Sequence, residues 1–104
     1  METTQKYSIS DFINICHSIA RQKGWWDRER NDAEIIALLH SELSEALEAL
    51  RNNEPPERIA EELADCLIRI FDYCGGRNLD LEKALLEKIE KNRKRPYRHG
   101  NKKY

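Results

Sequence analysis

Four acidic residues in the middle of the chain have the types and the spacing that bind a divalent cation. They form two pairs with three-residue spacing, Glu42 with Glu45 and Glu62 with Asp65. Side chains at positions i and i+3 are neighbours on a helix, so two such pairs on adjacent helices converge on one ion. Four carboxylates without histidine or thiolate suit a hard cation, which predicts Mg²⁺, with Mn²⁺ as the alternative ion. One pair alone is usually a solvated helix surface, and the second pair is what favours a site.

Glu42 differs from ordinary surface glutamates because it falls inside an apolar helical stripe. A charge at that position must be desolvated, which costs roughly several kcal/mol unless a metal, a cation or a proton neutralises it. Glu62 and Asp65 lie beside the apolar face of the next helix, on a polar ribbon with Arg69 and Asp72. We consider Asp72 as an additional ligand or as a carboxylate that supports one. The apolar stripe around Glu42 contains Ile35, Leu38, Leu39, Leu43, Ala46 and Leu50.

The elements that position these residues are helices, because the apolar residues recur with helical periodicity and strand-like alternation is missing. We predict four helices, and short connections make the second and third antiparallel neighbours. The predicted fold is all-α, a single domain resembling a four-helix bundle. The helices run from about Ser10 to Lys23 before Gly24, from after Asn31 to near Arg51, from Pro55-Pro56 to Gly75-Gly76, and from a cap at Asn78 or Asp80 to about Arg93.

Length and composition narrow the class of protein. The 104 residues suffice for one domain, and the net charge is −1. The cysteines Cys16, Cys66 and Cys74 are odd in number and lack CxxC spacing, which indicates reduced thiols in a cytoplasmic protein. No apolar stretch reaches the ~20 residues that span a bilayer, so we expect a soluble protein without a membrane partner. The acidic second and third helices argue against nucleic-acid binding.

These residues, taken with their neighbours, resemble the all-α nucleotide pyrophosphohydrolases of the MazG type. The resemblance covers nearly the whole chain, so residues 1–104 are interpreted as one MazG-like domain, with a basic C-terminal segment after about residue 95. The signature of the family is ExxE, a spacer and then ExxD. The matching stretches are Gly24-Trp25-Trp26, His40 to Ala49, Glu61 to Asp65, and Lys88-x-x-x-Asn92-x-x-Arg95-Pro96-Tyr97-Arg98-His99-Gly100.

The resemblance implies an activity and assigns the acidic residues a role. Members of the family cleave nucleoside triphosphates between the α and β phosphates, which gives a monophosphate and pyrophosphate. By resemblance Glu42, Glu45, Glu62 and Asp65 are both the Mg²⁺ ligands and the catalytic residues, and the reaction needs no serine or cysteine nucleophile. One of the four, with Glu45 as a candidate, takes a proton from the attacking water, and the sequence does not assign which. The expected role is the removal of unwanted or non-standard nucleotides.

The resemblance also implies which residues contact the substrate. For Trp25 and Trp26, stacking on the base and a structural role as a lid or subunit contact are equally weighted. His17 and His40 are interpreted as structural. The residues expected to contact the phosphates and the sugar are Lys88, Asn92, Arg95, Tyr97, His99 and Lys102.

Assembly is expected because the helices carry more apolar surface than one small chain hides. We predict a homodimer, with a dimer of dimers as the larger alternative, and the segment from Lys88 to Lys102 acting on the site of the other subunit. The alternative function is a helical dimerisation or regulatory module that binds a nucleotide without turning it over.

Overall fold

Four helices make up the described part of the chain, and α3 is the helix on which α1 and α2 pack. The computed structural model describes residues 6–98 and residue 103. The helices are α1, Ile9–Gln22; α2, Asp32–Arg51; α3, Pro56–Arg77; and α4, Leu81–Arg93. No strand occurs in these described residues, which confirms the all-α prediction.

The helix starts follow from local capping residues. Ser8 and Asp11 form a reciprocal capping box at α1, in which the Asp11 amide donates to Ser8 Oγ at 3.0 Å and the Ser8 amide donates to Asp11 Oδ2 at 2.9 Å. Asn31 caps α2 through its side-chain oxygen, and Asp80 caps α4 in the same way. The predicted start of α2 at Asn31 is confirmed, and of the two caps considered for α4 the structure uses Asp80.

The predicted end of α3 at the glycine pair is wrong. The helix continues through Gly75 and Gly76 to Arg77 and ends where Asn78 adopts a left-handed conformation, with φ of 54°. The glycines serve close packing instead of termination: a Cβ on Gly75 would overlap the His17 side chain, and a Cβ on Gly76 would overlap the Trp26 ring. They let α1 and the segment after it approach the backbone of α3.

The turn between α2 and α3 makes the two helices an antiparallel pair. Asn53 takes the left-handed conformation, with φ of 54°, and the Glu54 amide donates to the Ala49 carbonyl at 3.0 Å, so the end of α2 is closed locally. Pro56 then opens the first turn of α3. This hairpin brings the two acidic pairs to the same level on adjacent helices.

The core of the single chain is small. The buried hydrophobic residues of the described chain are Ile13, Ile35, Ala46, Ala49 and Cys74. Of the predicted apolar stripe on α2, Leu43 and Leu50 are more than half exposed, because α3 covers only one side of α2. No residue of α4 is buried, and this helix makes its main contact with α1. The four predicted helices are confirmed in the described residues; α1 and α2 pack on α3, and α4 lies on the outside, against α1.

None of the helices within residues 6–98 has the length and apolar content that a membrane span requires.

Candidate active site

A cavity of about 470 Å³ opens between α1, α2 and α3. Its volume lies within the range of small-molecule sites, roughly 300–1,000 Å³. Three of the four predicted carboxylates, Glu42, Glu45 and Asp65, are in its wall. The other residues of the wall are Cys16, Ile19, Ala20, Lys23, Trp25, Arg30, Ile68, Arg69 and Asp72.

Glu62 is not in the wall of this cavity, but it belongs electrostatically to the same acidic group. Its side chain is only 12% exposed. Burial raises the pKa of Glu62, and the charges of Glu45, Asp65 and Glu42 raise that pKa further, while Arg58 lowers it. The four predicted carboxylates are therefore close enough for their charges to interact.

Cys66 on α3 is close enough to the same four carboxylates for their charges to affect its thiol. Burial raises the pKa of the Cys66 thiol, and the negative charges of the four carboxylates raise it further. A thiol held protonated in this way is a poor nucleophile, so the geometry does not favour Cys66 as an attacking group.

Two arginines neutralise half of this acidic group. Arg69 Nε donates to Glu42 Oε1 at 2.9 Å, and Arg58 Nη2 lies 3.5 Å from Glu62 Oε1. In residues 6–98 and 103, neither Glu45 nor Asp65 takes part in an ion pair. The predicted need of Glu42 for a counter-charge is met in this structure by the guanidinium of Arg69.

Asp72 anchors a second polar cluster at one side of the cavity. It is buried, its Oδ1 lies 2.9 Å from His17 Nδ1 and accepts a hydrogen bond from Trp26 Nε1 at 2.8 Å, and its Oδ2 lies 3.8 Å from Arg30. The sequence offered no acidic partner for His17, because Asp72 lies 55 residues away along the chain. These contacts orient Asp72 within the fold.

The structure separates the two adjacent tryptophans. Trp25 lines the cavity and is 58% exposed, so its indole is available to a ligand. Trp26 packs edge-on against His17, lies under the guanidinium groups of Arg30 and Arg77, and is not in the cavity wall. The geometry thus favours the structural interpretation for Trp26, whereas substrate contact stays a prediction for Trp25.

Comparison with protein families gives a match over most of the chain. Residues 30–99 match the family model described as the MazG nucleotide pyrophosphohydrolase domain. The chain belongs to the MazG family. No curated protein and no solved structure matches it significantly. In this MazG domain α1 precedes the matched residues, yet it contributes Cys16, Ile19 and Ala20 to the cavity.

The donor set of the MazG domain fits a hard cation, because all four predicted ligands are carboxylates that interact electrostatically. In residues 6–98 and 103, however, no three acidic, histidine or cysteine side chains are grouped closely enough to hold one ion. In this structure Glu42 Oε1 accepts a hydrogen bond from Arg69 Nε, so the guanidinium engages one of the two oxygens that could bind the ion.

Among the described residues of α4 and the segment after it, up to residue 98, none lines the cavity of its own chain. Lys88 and Asn92 on α4, together with Arg95 and Tyr97 after it, are exposed and absent from the cavity wall. His99 and Lys102, also predicted to contact substrate, lie outside the described residues. The cationic residues that do line the cavity are Lys23, Arg30 and Arg69, and none of them was predicted to bind substrate. Only Arg69 carried a usable signal, since it lies four residues after Asp65 on the polar ribbon.

Proposed function

We propose that this MazG domain is a Mg²⁺-dependent nucleoside triphosphate pyrophosphohydrolase. It cleaves the bond between the α and β phosphates and releases a nucleoside monophosphate and pyrophosphate. The observation that carries the proposal is the acidic group on adjacent helices: Glu42, Glu45 and Asp65 line one cavity, and the charge of Glu62 interacts with all three. Mn²⁺ is the alternative ion.

The chemistry follows from the residues around the cavity. When bound, Mg²⁺ neutralises phosphate oxygens and lowers the pKa of a coordinated water. The four carboxylates would hold the ion. A water oxygen forms the new bond to phosphorus as the bond from that phosphorus to the bridging oxygen breaks, and no side chain forms a covalent intermediate. The candidates for accepting the water's proton are Glu45 and Asp65, because both line the cavity and neither has an ion pair in the described chain.

Substrate binding is assigned to the other residues of the cavity wall. Lys23 and Arg30 supply positive charge for the phosphates, and the exposed indole of Trp25 offers a face on which a base stacks. Stacking of this kind discriminates weakly between bases, which fits the proposed role in removing unwanted or non-standard nucleotides. The three free cysteines support placing this activity in the reducing cytoplasm.

The test is the substitution Glu42→Gln, which keeps the size of the side chain and removes its charge. We expect Mg²⁺-dependent release of pyrophosphate from a panel of standard and damaged triphosphates to fall by at least about a hundredfold. The far-UV circular dichroism should stay helical. An unaffected rate would contradict the site assignment, and a wild-type chain that binds nucleotide without releasing pyrophosphate would favour a regulatory module.

Glu48→Gln is the matched control. Glu48 is on the same helix, its side chain is 64% exposed, and its ion pair is with Arg51 outside the cavity wall. The same chemical change at this position should leave the release of pyrophosphate unchanged.

We propose further that the working unit is a homodimer, or a dimer of dimers. The chain exposes 8748 Å², whereas a compact monomer of its mass would expose roughly 6,100 Å². The excess is about 2,600 Å² per chain, or roughly 5,200 Å² for two chains, which is at the upper end of the total area that obligate dimer interfaces bury.

Part of this excess surface consists of exposed apolar residues on the α2–α3 hairpin. Residues Leu43, Leu47 and Leu50 share one side of α2, and Leu63 and Leu67 share one side of α3, by helical periodicity. All five are about half exposed. A second copy is the partner that we propose covers them, and its Lys88–Lys102 segment would then be available to the cavity of the first.

A further inference from the structure

The ion pair between Arg69 and Glu42 joins a cavity-lining cation to a predicted metal ligand. Arg69 Nε donates to Glu42 Oε1 at 2.9 Å, and both side chains are in the cavity wall. The Glu42 side chain is 15% exposed, while that of Arg69 is 37% exposed. The carboxylate is thus largely withdrawn from water, whereas the arginine side chain remains accessible to water.

We propose that Arg69 is a displaceable counter-ion: it neutralises Glu42 while the site holds no cation, leaves Glu42 when a divalent cation binds, and then contacts the phosphates of the substrate. This inference rests on the proposed function. It adds a residue to the site that neither the signature spacing nor the family match assigns.

The first step follows from the burial of Glu42. A carboxylate at this depth is destabilised unless a positive charge accompanies it. A guanidinium and a divalent cation on the same carboxylate repel each other across a short distance, so a bound cation weakens the hold of Glu42 on Arg69. Binding of the cation therefore includes the cost of weakening or breaking the Arg69 ion pair.

The second step follows from where Arg69 goes once it is released. Glu42 is its only ion-pair partner in the described part of the chain, and its backbone lies on the α3 ribbon with Asp65 four residues before it. A released guanidinium already faces the cavity, and it matches two phosphate oxygens in a bidentate way. Release by the cation therefore couples filling of the metal site to binding of the phosphates.

Arg58, the other arginine paired with the acidic group, is not placed to be released toward the phosphates. It lies 3.5 Å from Glu62, but it also contacts Glu61 and Glu54, and it is absent from the cavity wall. Loss of its contact with Glu62 would leave Arg58 with two other carboxylates outside the cavity. Arg69 has no such alternative among the described residues.

The test is Arg69→Gln, measured in two binding experiments without turnover. Free Mn²⁺ is followed by electron paramagnetic resonance in the absence of nucleotide, and we expect Mn²⁺ affinity to rise by about fivefold because a competing charge is lost. Binding of the α,β-methylene analogues of the four deoxynucleoside triphosphates is then measured at saturating Mn²⁺. That affinity should fall by at least about tenfold, because a charge-assisted contact is lost.

Arg69→Lys and Arg51→Gln complete the experiment. Lysine keeps the charge but not the planar fork, so Mn²⁺ affinity should stay near that of the wild type while analogue affinity falls. Arg51 pairs with Glu48 on the exposed side of α2, and its substitution removes the same charge without affecting either measurement. If Arg69→Gln fails to fold, Arg69→Lys decides alone, and unchanged analogue binding in that variant overturns the inference.

The outcomes separate this inference from the proposed function. A wild-type chain that binds no Mn²⁺ contradicts the metal site itself. A wild-type chain that binds both Mn²⁺ and the analogues, with an Arg69→Gln variant in which both affinities fall or neither changes, overturns the role of Arg69 and leaves the proposed function standing.

Discussion

At the scale of single residues, the acidic group is arranged at the expense of stability. Burial and the charges of Glu45, Asp65 and Glu42 together raise the pKa of Glu62 against the opposing effect of Arg58. The folded chain therefore binds a proton at Glu62 more tightly than the unfolded chain does. The resulting stabilisation is present below the unfolded pKa, about 4.3 for glutamate, and is lost as the pH rises through the higher folded pKa.

The substitution Glu62→Gln should therefore stabilise the metal-free chain at neutral pH. We expect its thermal midpoint to exceed that of the wild type at pH 7–8, since the variant has no charge to desolvate there. The difference should shrink on acidification and vanish below about pH 4, where Glu62 is protonated in both states. Thermal melts across that pH range, recorded with a chelator present, measure it. Glu87→Gln on the exposed surface of α4 is the control, and a Glu62→Gln midpoint below that of wild type at pH 7 would refute the expectation.

The sequence could predict those site residues whose partners lie close by along the chain, and it could not predict those whose partners are distant. The spacing of Glu42 with Glu45 and of Glu62 with Asp65 is a local pattern, so helical periodicity alone placed each pair on one face. The partners of Glu42 and Asp72 are set by tertiary packing: Arg69 is 27 residues from Glu42, and Trp26 is 46 from Asp72. No local pattern fixes the register that brings them together.

At the scale of the elements, the glycine pair in α3 allows the close packing that positions Trp26 beside Asp72. Gly76 accepts the Trp26 ring on the helix surface, and that ring in turn donates a hydrogen bond to Asp72. In an exposed helix Gly→Ala usually stabilises by about 1 kcal/mol. Here the added Cβ would overlap Cη2 of Trp26, so the sign should reverse.

We expect Gly76→Ala to lower the free energy of unfolding by about 1–3 kcal/mol, the usual cost of overpacking. Urea unfolding at fixed protein concentration measures this change. In a Trp26→Phe background the ring atoms that clash are absent, so the same substitution should cost less, and the double-mutant cycle should show coupling. Stabilisation by Gly76→Ala in the wild-type background would mean that the ring does not pack on this glycine.

The helices themselves were largely predictable because their ends are local. Asn31 bonds to a backbone amide only three residues away, so the sequence window contains the whole capping interaction. The glycine pair misled for the opposite reason. Glycine at a helix end and glycine at a close approach look alike in sequence, and only the positions of His17 and Trp26 distinguish them.

At the scale of the whole molecule, the single chain is too open for its size. Its radius of gyration is 16.5 Å, against about 13 Å for a compact domain of this length. Leu86 and Ile89 on α4 are exposed, and the cavity wall contains no residue of that helix. A dimer in which α4 of one chain reaches the cavity of the other would account for the exposed apolar surface and give the basic segment a substrate to bind.

Mixing two inactive variants tests this arrangement. Glu42→Gln removes a carboxylate charge from the cavity, and Lys88→Gln removes a cation that we place in the partner's site. If the sites are shared, a mixed dimer has one site that carries both changes and one that carries neither. After co-refolding of equal amounts, we therefore expect about a quarter of the wild-type pyrophosphate release, since half of the dimers are mixed and each has one intact site of two. Light scattering on each variant must first give twice the 12.3 kDa chain mass or a multiple of it. A dimer whose mixture stays as inactive as its components would place Lys88 in the site of its own chain, and a monomer would remove the dimer from the proposal.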